Sequence, residues 1–245
     1  MAVLEAFAVP HPPIILPEIG RGEERRIQAT IDAYQEAMRR AAALQPDTVV
    51  VTSPHATMYA DYFHVSPGER ASGDFSDFRC PEVHVEAAYD AAFTRALAEE
   101  CQASGIPGGT AAERDPKLDH GTMIPLRFFG EFAREFKVVR VGLSGLSPLT
   151  HYRFGECIAR TAERLGRRIV HIASGDLSHK LLPEGPYGFA AEGPVFDKEC
   201  MAALSSGDFL RLLSIDSALA EGAAECGLRS FWIMAGVLDK LRVTA

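Results

Sequence analysis

Short apolar runs alternate with longer amphipathic stretches along this chain, and that alternation leaves few folds open. Residues 2–9 (AVLEAFAV), 48–52 (TVVVT), 137–142 (KVVRVG) and 168–173 (RIVHIA) are apolar or β-branched and have the length of strands. Between them, residues 22–44, 87–104, 123–135 and 149–166 carry apolar residues at helical spacing, as at Ile27, Ile31, Tyr34, Met38 and Ala42. Further helices are predicted at 195–205, 207–214 and 227–240, an active-site loop or hairpin at 56–83, and loops at 105–119 and 184–194. The alternation predicts an α/β fold: a single domain over residues 1–245 with a mixed central sheet and helices on both faces. At 245 residues and 47% hydrophobic, the chain can bury a core of that size.

Composition narrows the function classes. The formal net charge is -8, and no Lys/Arg cluster forms a phosphate track, so neither nucleic acid nor an anionic membrane is an expected partner. No apolar run approaches the roughly 20 residues of a membrane span. The five cysteines, Cys80, Cys101, Cys157, Cys200 and Cys226, form no CxxC pair, and an odd count without a secretory leader points to a reducing cytoplasm. The last residues, 241–245, read as the opening of another strand, with the natural chain continuing beyond them.

Four histidines stand at the ends of apolar runs or beside turn residues: His11, His55, His120 and His179. Ligands of open α/β sheets bind beyond the carboxyl ends of the strands, so such histidines can converge on one site. His11 and His55 each follow a strand and sit beside proline, which stiffens the turn. Imidazole is a common ligand of transition metals, and these two are the expected metal ligands. His179 closes SGDLSH, where Asp176 or Ser178 can cap a helix or orient the imidazole, and it is an acid–base candidate. His120, in DHGT, is a second acid–base group or a substrate clamp. His171 reads as a residue of the core or one that backs the site, and His64, His84 and His151 as surface or loop residues.

A site with two histidines and one carboxylate would suit non-haem Fe(II). Glu225 is the candidate carboxylate, at the opening of a helix, where it can also be simply a charge favoured by the helix dipole. Cys226 is its rival, since a thiolate is a good soft ligand.

His11 with its prolines, SPH at 53–55, DHG at 119–121, GDLSH at 175–179 and the ECGLRSFWIM helix resemble the class III extradiol ring-cleavage dioxygenases. The likeness is to the protocatechuate 4,5-dioxygenase β subunit and to the related Memo-like proteins, over nearly all of residues 5–240. The resemblance implies one Fe(II), with Zn or Mn as substitutes, held by His11, His55 and a carboxylate, here Glu225. It implies His179 as the acid–base residue and His120 as the second catalytic histidine. The implied partners are a small catechol-type aromatic substrate and O2, with assembly as a homo-oligomer. In Memo-like members a cysteine followed by glycine takes the carboxylate's place, and Cys226-Gly227 fits that pattern. The alternative is therefore a metal or redox protein of the same fold without catechol-cleaving activity.

Overall fold

The computed structural model describes residues 2–243. Among the described residues there are eight strands: β1 (Val3–Val9), β2 (Thr48–Ser53), β3 (Phe63–His64), β4 (Arg70–Phe75), β5 (Cys80–Ala88), β6 (Gly108–Gly109), β7 (Lys137–Gly142) and β8 (Ile169–Ser174). The helices are α1 (Pro17–Gly20), α2 (Gln28–Ala43), α3 (Ala91–Ala103), α4 (His120–Gly130), α5 (Pro148–Leu165), α6 (Glu192–Ser206), α7 (Phe209–Leu213), α8 (Ser217–Ala223) and α9 (Leu228–Val237).

Four strands form the central sheet in the order β1-β8-β2-β7, and every pair in it is parallel. Residues of β2 and β8 are buried on both faces, which is why both read as unbroken apolar runs rather than alternating ones. Antiparallel pairing lies outside the central sheet's own ladder: Val65 bridges Val141 at its margin, β4 and β5 form a hairpin, and Leu181 bridges Phe189 in the loop before α6. The β4–β5 hairpin occupies part of the 56–83 segment expected to be a loop or hairpin.

Side-chain alternation divides the core. Phe7, Val9, Val49, Val51, Val138, Val170 and Ile172 face one layer, with Tyr34 and Met38 of α2 and Ile124 and Phe128 of α4. Val3, Val50, Val139, Val141 and Ile169 face the other, with Leu97 of α3, Phe154 and Ile158 of α5 and Ile233 of α9. A third cluster joins α6, α7 and α8 to α9 through Phe196, Leu212, Ala220 and Trp232. The longer helices on both faces are those the sequence predicts, with shifted starts. α4 begins at His120 rather than after the HGT turn, because Asp119 caps it by accepting from Thr122 N, and α3 begins at Ala91 rather than at 87, because 87 and 88 close β5. The short α1 and α8, the latter capped by Asp216, were not expected.

Residues 241–243 do not extend a strand, and Thr244 and Ala245 lie outside the described residues. His171 is buried in β8, as expected of a core residue, but His64 and His151 are buried too and are not surface or loop residues. β3 carries His64 under the sheet margin, and the inward face of α5 carries His151. No helix among the described residues is long and apolar enough to cross a membrane.

Candidate metal and acid–base site

Parallel pairing puts the carboxyl ends of β1, β8 and β2 side by side. His11 lies two residues past β1, Asp176 two past β8 and His55 two past β2. His11 Nε2 stands 3.1 Å from His55 Nε2. The fourth contributor comes from the other end of the chain: Cys226 Sγ lies 3.6 Å from His11 Nε2. The donor atoms of His11, His55 and Cys226 all fall within 4.8 Å of one another, and so do those of Asp176, His179 and Cys226.

A close backbone approach sets Cys226 there. A Cβ on Gly175 would sit 2.1 Å from Gly227 Cα, so the turn after β8 and the start of α9 can touch only without a side chain at that point. Across the contact, the amides of Cys226 and Gly227 both donate to the Asp176 carbonyl, at 3.2 and 3.0 Å. Glu225 points elsewhere. Its carboxylate accepts from Leu228 N at 2.6 Å, in the first turn of α9, and burial holds its pKa above the ordinary value. The structure thus brings together His11, His55 and Cys226 and leaves the Glu225 carboxylate on its own helix.

His179 and His120 flank the pair in opposite electrical states. His179 Nε2 is 3.3 Å from Asp176 Oδ2, and its Nδ1 contacts the Ala224 carbonyl. Both partners can only accept, so both ring nitrogens carry protons. The Asp176 carboxylate, followed by the Cys226 thiol and the Ala224 carbonyl, pushes His179 up to about 11. Asp176 therefore orients the imidazole and caps no helix, and it also accepts from His11 N at 2.7 Å. His120 is held neutral: burial, then the neighbouring rings of His55 and His11, lower it to about 4. Its ring lies 4.0 Å from that of His55, centroid to centroid.

The Asp119 carboxylate fastens His120 in place. Its Oδ1 accepts from Ser53 Oγ at 2.6 Å and Thr122 N at 3.0 Å, and its Oδ2 from Thr122 Oγ1 at 2.8 Å and Arg140 Nε at 3.1 Å. Burial raises the Asp119 pKa, but the Arg140 guanidinium and these hydroxyls outweigh it and leave the carboxyl below its ordinary value. Arg140 was missed in the sequence; its only signal there is a lone charge among the valines of KVVRVG.

A cleft of about 550 Å³ opens on His55 and His120, walled by Met58, Phe78, Arg114, Lys117 and Arg140 among others. The walls come from residues 55–58, 74–78, 114–123 and 140. Nearby, Phe63 is buried in the core, Tyr59 lies under the Arg114 guanidinium and Tyr187 stacks on His179. A larger cleft of about 820 Å³, lined by Asp47, Lys137 and Arg167, lies at the opposite, amino-terminal edge of the strands and holds none of these groups.

The family model "Catalytic LigB subunit of aromatic ring-opening dioxygenase" matches residues 5–244. Protein CA_C1420 of Clostridium acetobutylicum is 37% identical over 240 residues, 95% of this chain and 51% of that protein. The 3,4-dihydroxyphenylacetate 2,3-dioxygenase of Escherichia coli is 24% identical over 165 residues, 64% of this chain and 58% of its own length. A 2,3-dihydroxyphenylpropionate/2,3-dihydroxicinnamic acid 1,2-dioxygenase of Klebsiella pneumoniae is 30% identical, over 62% of this chain and 51% of that enzyme. The chain spans about half the length of these curated relatives. Among solved structures, the uncharacterized protein JW3007 from Escherichia coli K12 shares the fold, with a TM-score of 0.61 at 18% identity, covering 85% of this chain and 83% of that one.

Proposed function

The chain belongs to the family of catalytic LigB subunits of aromatic ring-opening dioxygenases, and we propose that it is a metal-dependent extradiol dioxygenase that opens a catechol-type ring with O2. Family membership supports an oxidoreductase of the dioxygenase kind. One observation carries the reading. Two imidazole nitrogens converge to 3.1 Å, with His120 on one side at the cleft wall and His179 on the other against Asp176.

The donor set fits a metal ion. We assign His11, His55 and Cys226 as its ligands, in place of the Glu225 expected from sequence, because the Cys226 thiol is gathered with the two converging imidazoles while the Glu225 carboxylate is held on Leu228 N. Two imidazoles and a thiolate suit Fe(II) or Zn(II) better than Mn(II), which favours oxygen donors. When bound, the ion supplies Lewis acidity and a template for the substrate oxygens and O2.

The protein's own groups supply the proton transfers. His120, neutral and lining the cleft, takes a proton from a substrate hydroxyl. His179, protonated against Asp176, delivers one as the ring opens. Each transfer contributes roughly 10²–10⁴-fold in rate. Phe78, whose ring meets that of His120 at 5.0 Å between centroids, gives an aromatic substrate an apolar wall. A cytoplasmic location and assembly as a homo-oligomer belong to the same reading.

The test is anaerobic loading with Fe(II), then oxygen uptake across a panel of catechols. Catechol-dependent uptake with a yellow ring-opened product, falling by 10²–10⁴-fold in His179→Ala and His120→Ala, is the expected result. One observation favours a second reading: the third gathered donor is a thiol followed by glycine, the Memo-like pattern. A protein that binds one metal per chain yet consumes no O2 with any catechol would be a metal or redox protein of that branch.

A further inference from the structure

α4 contains a proline, Pro125, inside its first two turns. Proline has no N–H, so the carbonyl four residues back, that of Gly121, receives no helical hydrogen bond from it. A buried carbonyl left without a donor is costly, and another donor is expected to take it. Ser174, the last residue of β8, does so: its hydroxyl donates to Gly121 O at 2.6 Å. The same hydroxyl oxygen lies 2.9 Å from His11 Nδ1. A serine hydroxyl has one proton, and here the carbonyl has it. His11 Nδ1 must then be the donor, and the lone pair of the neutral ring is left on Nε2, the atom that faces His55 and Cys226.

We infer that Pro125, Gly121 O and Ser174 form a relay that fixes the tautomer of His11, with Pro125 and Ser174 as positioning residues for the metal ligand. A wrong tautomer would place a proton on the nitrogen that has to bind. Gly121 is bound into the same arrangement: a Cβ there would sit 2.5 Å from Ser53 Oγ and 3.3 Å from His55 Cδ2. The helix start that carries His120 therefore approaches the His55 turn closely enough for its carbonyl to reach across to Ser174. The relay runs from an α4 proline to a ligand after β1, and no segment of the sequence shows the two together.

The inference rests on His11 being a metal ligand, but its test does not depend on turnover. Histidine-15N-labelled, metal-free protein is observed by long-range 1H–15N correlation near neutral pH. His11 should show a protonated Nδ1 and an unprotonated Nε2. Ser174→Ala removes the acceptor, and the two tautomers should mix. Pro125→Ala returns an amide to Gly121 O and frees the Ser174 hydroxyl to donate to Nδ1, so the Nε2–H form should grow. Zn(II) titrated into each variant should bind about 10–100-fold more weakly, the usual effect of losing a group that orients a ligand. An Nε2–H tautomer in the wild type would overturn the inference without the need for any variant. So would variants that keep both the Nδ1–H form and wild-type Zn(II) affinity. Loss of catechol turnover with the Nδ1–H tautomer intact would instead count against the dioxygenase reading.

Discussion

Cys226 Sγ lies 3.6 Å from His11 Nε2, although 215 residues separate the two in sequence. Its neighbour Glu225 faces the other way, with its carboxylate on Leu228 N. The division of labour between these adjacent residues leads to the first prediction. Cys226→Ser should abolish tight metal binding while leaving the fold intact. Glu225→Gln should retain the metal and lose about 1 kcal/mol of stability, as expected for a weakened helix start. Calorimetric metal titration and denaturant unfolding on both variants separate the two roles.

The buried pair of Arg140 and Asp119 should be strongly coupled to stability. Arg140 Nη2 is 3.1 Å from Asp119 Oδ2, with the two side chains 2% and 9% exposed. Arg140→Met leaves a buried carboxylate without its counter-charge and should cost about 3–5 kcal/mol of unfolding free energy. The pH dependence has a fixed sign. The folded-state pKa of Asp119 is below its ordinary 3.8, so its contribution is fully present above that value and is lost as pH falls through the lower folded one. The stability gap between wild type and Asp119→Asn should therefore shrink only below pH 3.8.

His171 should act as an acid-sensitive point in the core. It is fully buried in β8, neither ring nitrogen meets a hydrogen-bond partner, and burial lowers its pKa from 6.5 to about 3. The unfolded chain takes up the proton first, so stability falls as pH drops below 6.5 towards 3. His171→Leu should make that acid limb shallower, by up to about 1.4 kcal/mol per pH unit for one proton. At neutral pH it should be neutral or stabilising, because an unpaired polar group is removed. Unfolding curves from pH 7 to pH 4 on both proteins provide the check.

Much of this site was legible in the sequence, for physical reasons that can be named. His11 and His55 were visible because continuous apolar runs mark parallel strands, and the turns after such strands hold the site. His179 was visible through the short turn that carries Asp176 with it. Choosing between Glu225 and Cys226 was not possible from spacing, since the choice depends on the Gly175–Gly227 contact between segments 52 residues apart. The cleft walls at 114–119 were equally hidden, because Arg140 recruits that loop from β7 by donating to the Asp115 carbonyl at 3.3 Å. His64 and His151 were misplaced because a buried histidine leaves no periodic signature in a two-residue strand or on one helix face.

The Gly175–Gly227 contact itself can be tested. Gly175→Ala places a methyl group where Gly227 Cα now sits, and backbone cannot yield as a flexible side chain can. The variant should lose about 1–3 kcal/mol of stability. If it folds, it should bind metal more weakly, because the α9 start that carries Cys226 has to move away. Unchanged metal affinity in a folded variant would show that Cys226 does not depend on this contact.

The central claim is that His11, His55 and Cys226 hold one metal ion, and X-ray absorption at the zinc edge of the Zn(II)-loaded protein tests it most directly. The account predicts one metal per chain, a sulfur neighbour at about 2.3 Å, imidazole nitrogens at about 2.0–2.1 Å, and loss of the sulfur shell in Cys226→Ser. A shell of nitrogen and oxygen alone, unchanged in Cys226→Ser, would contradict it.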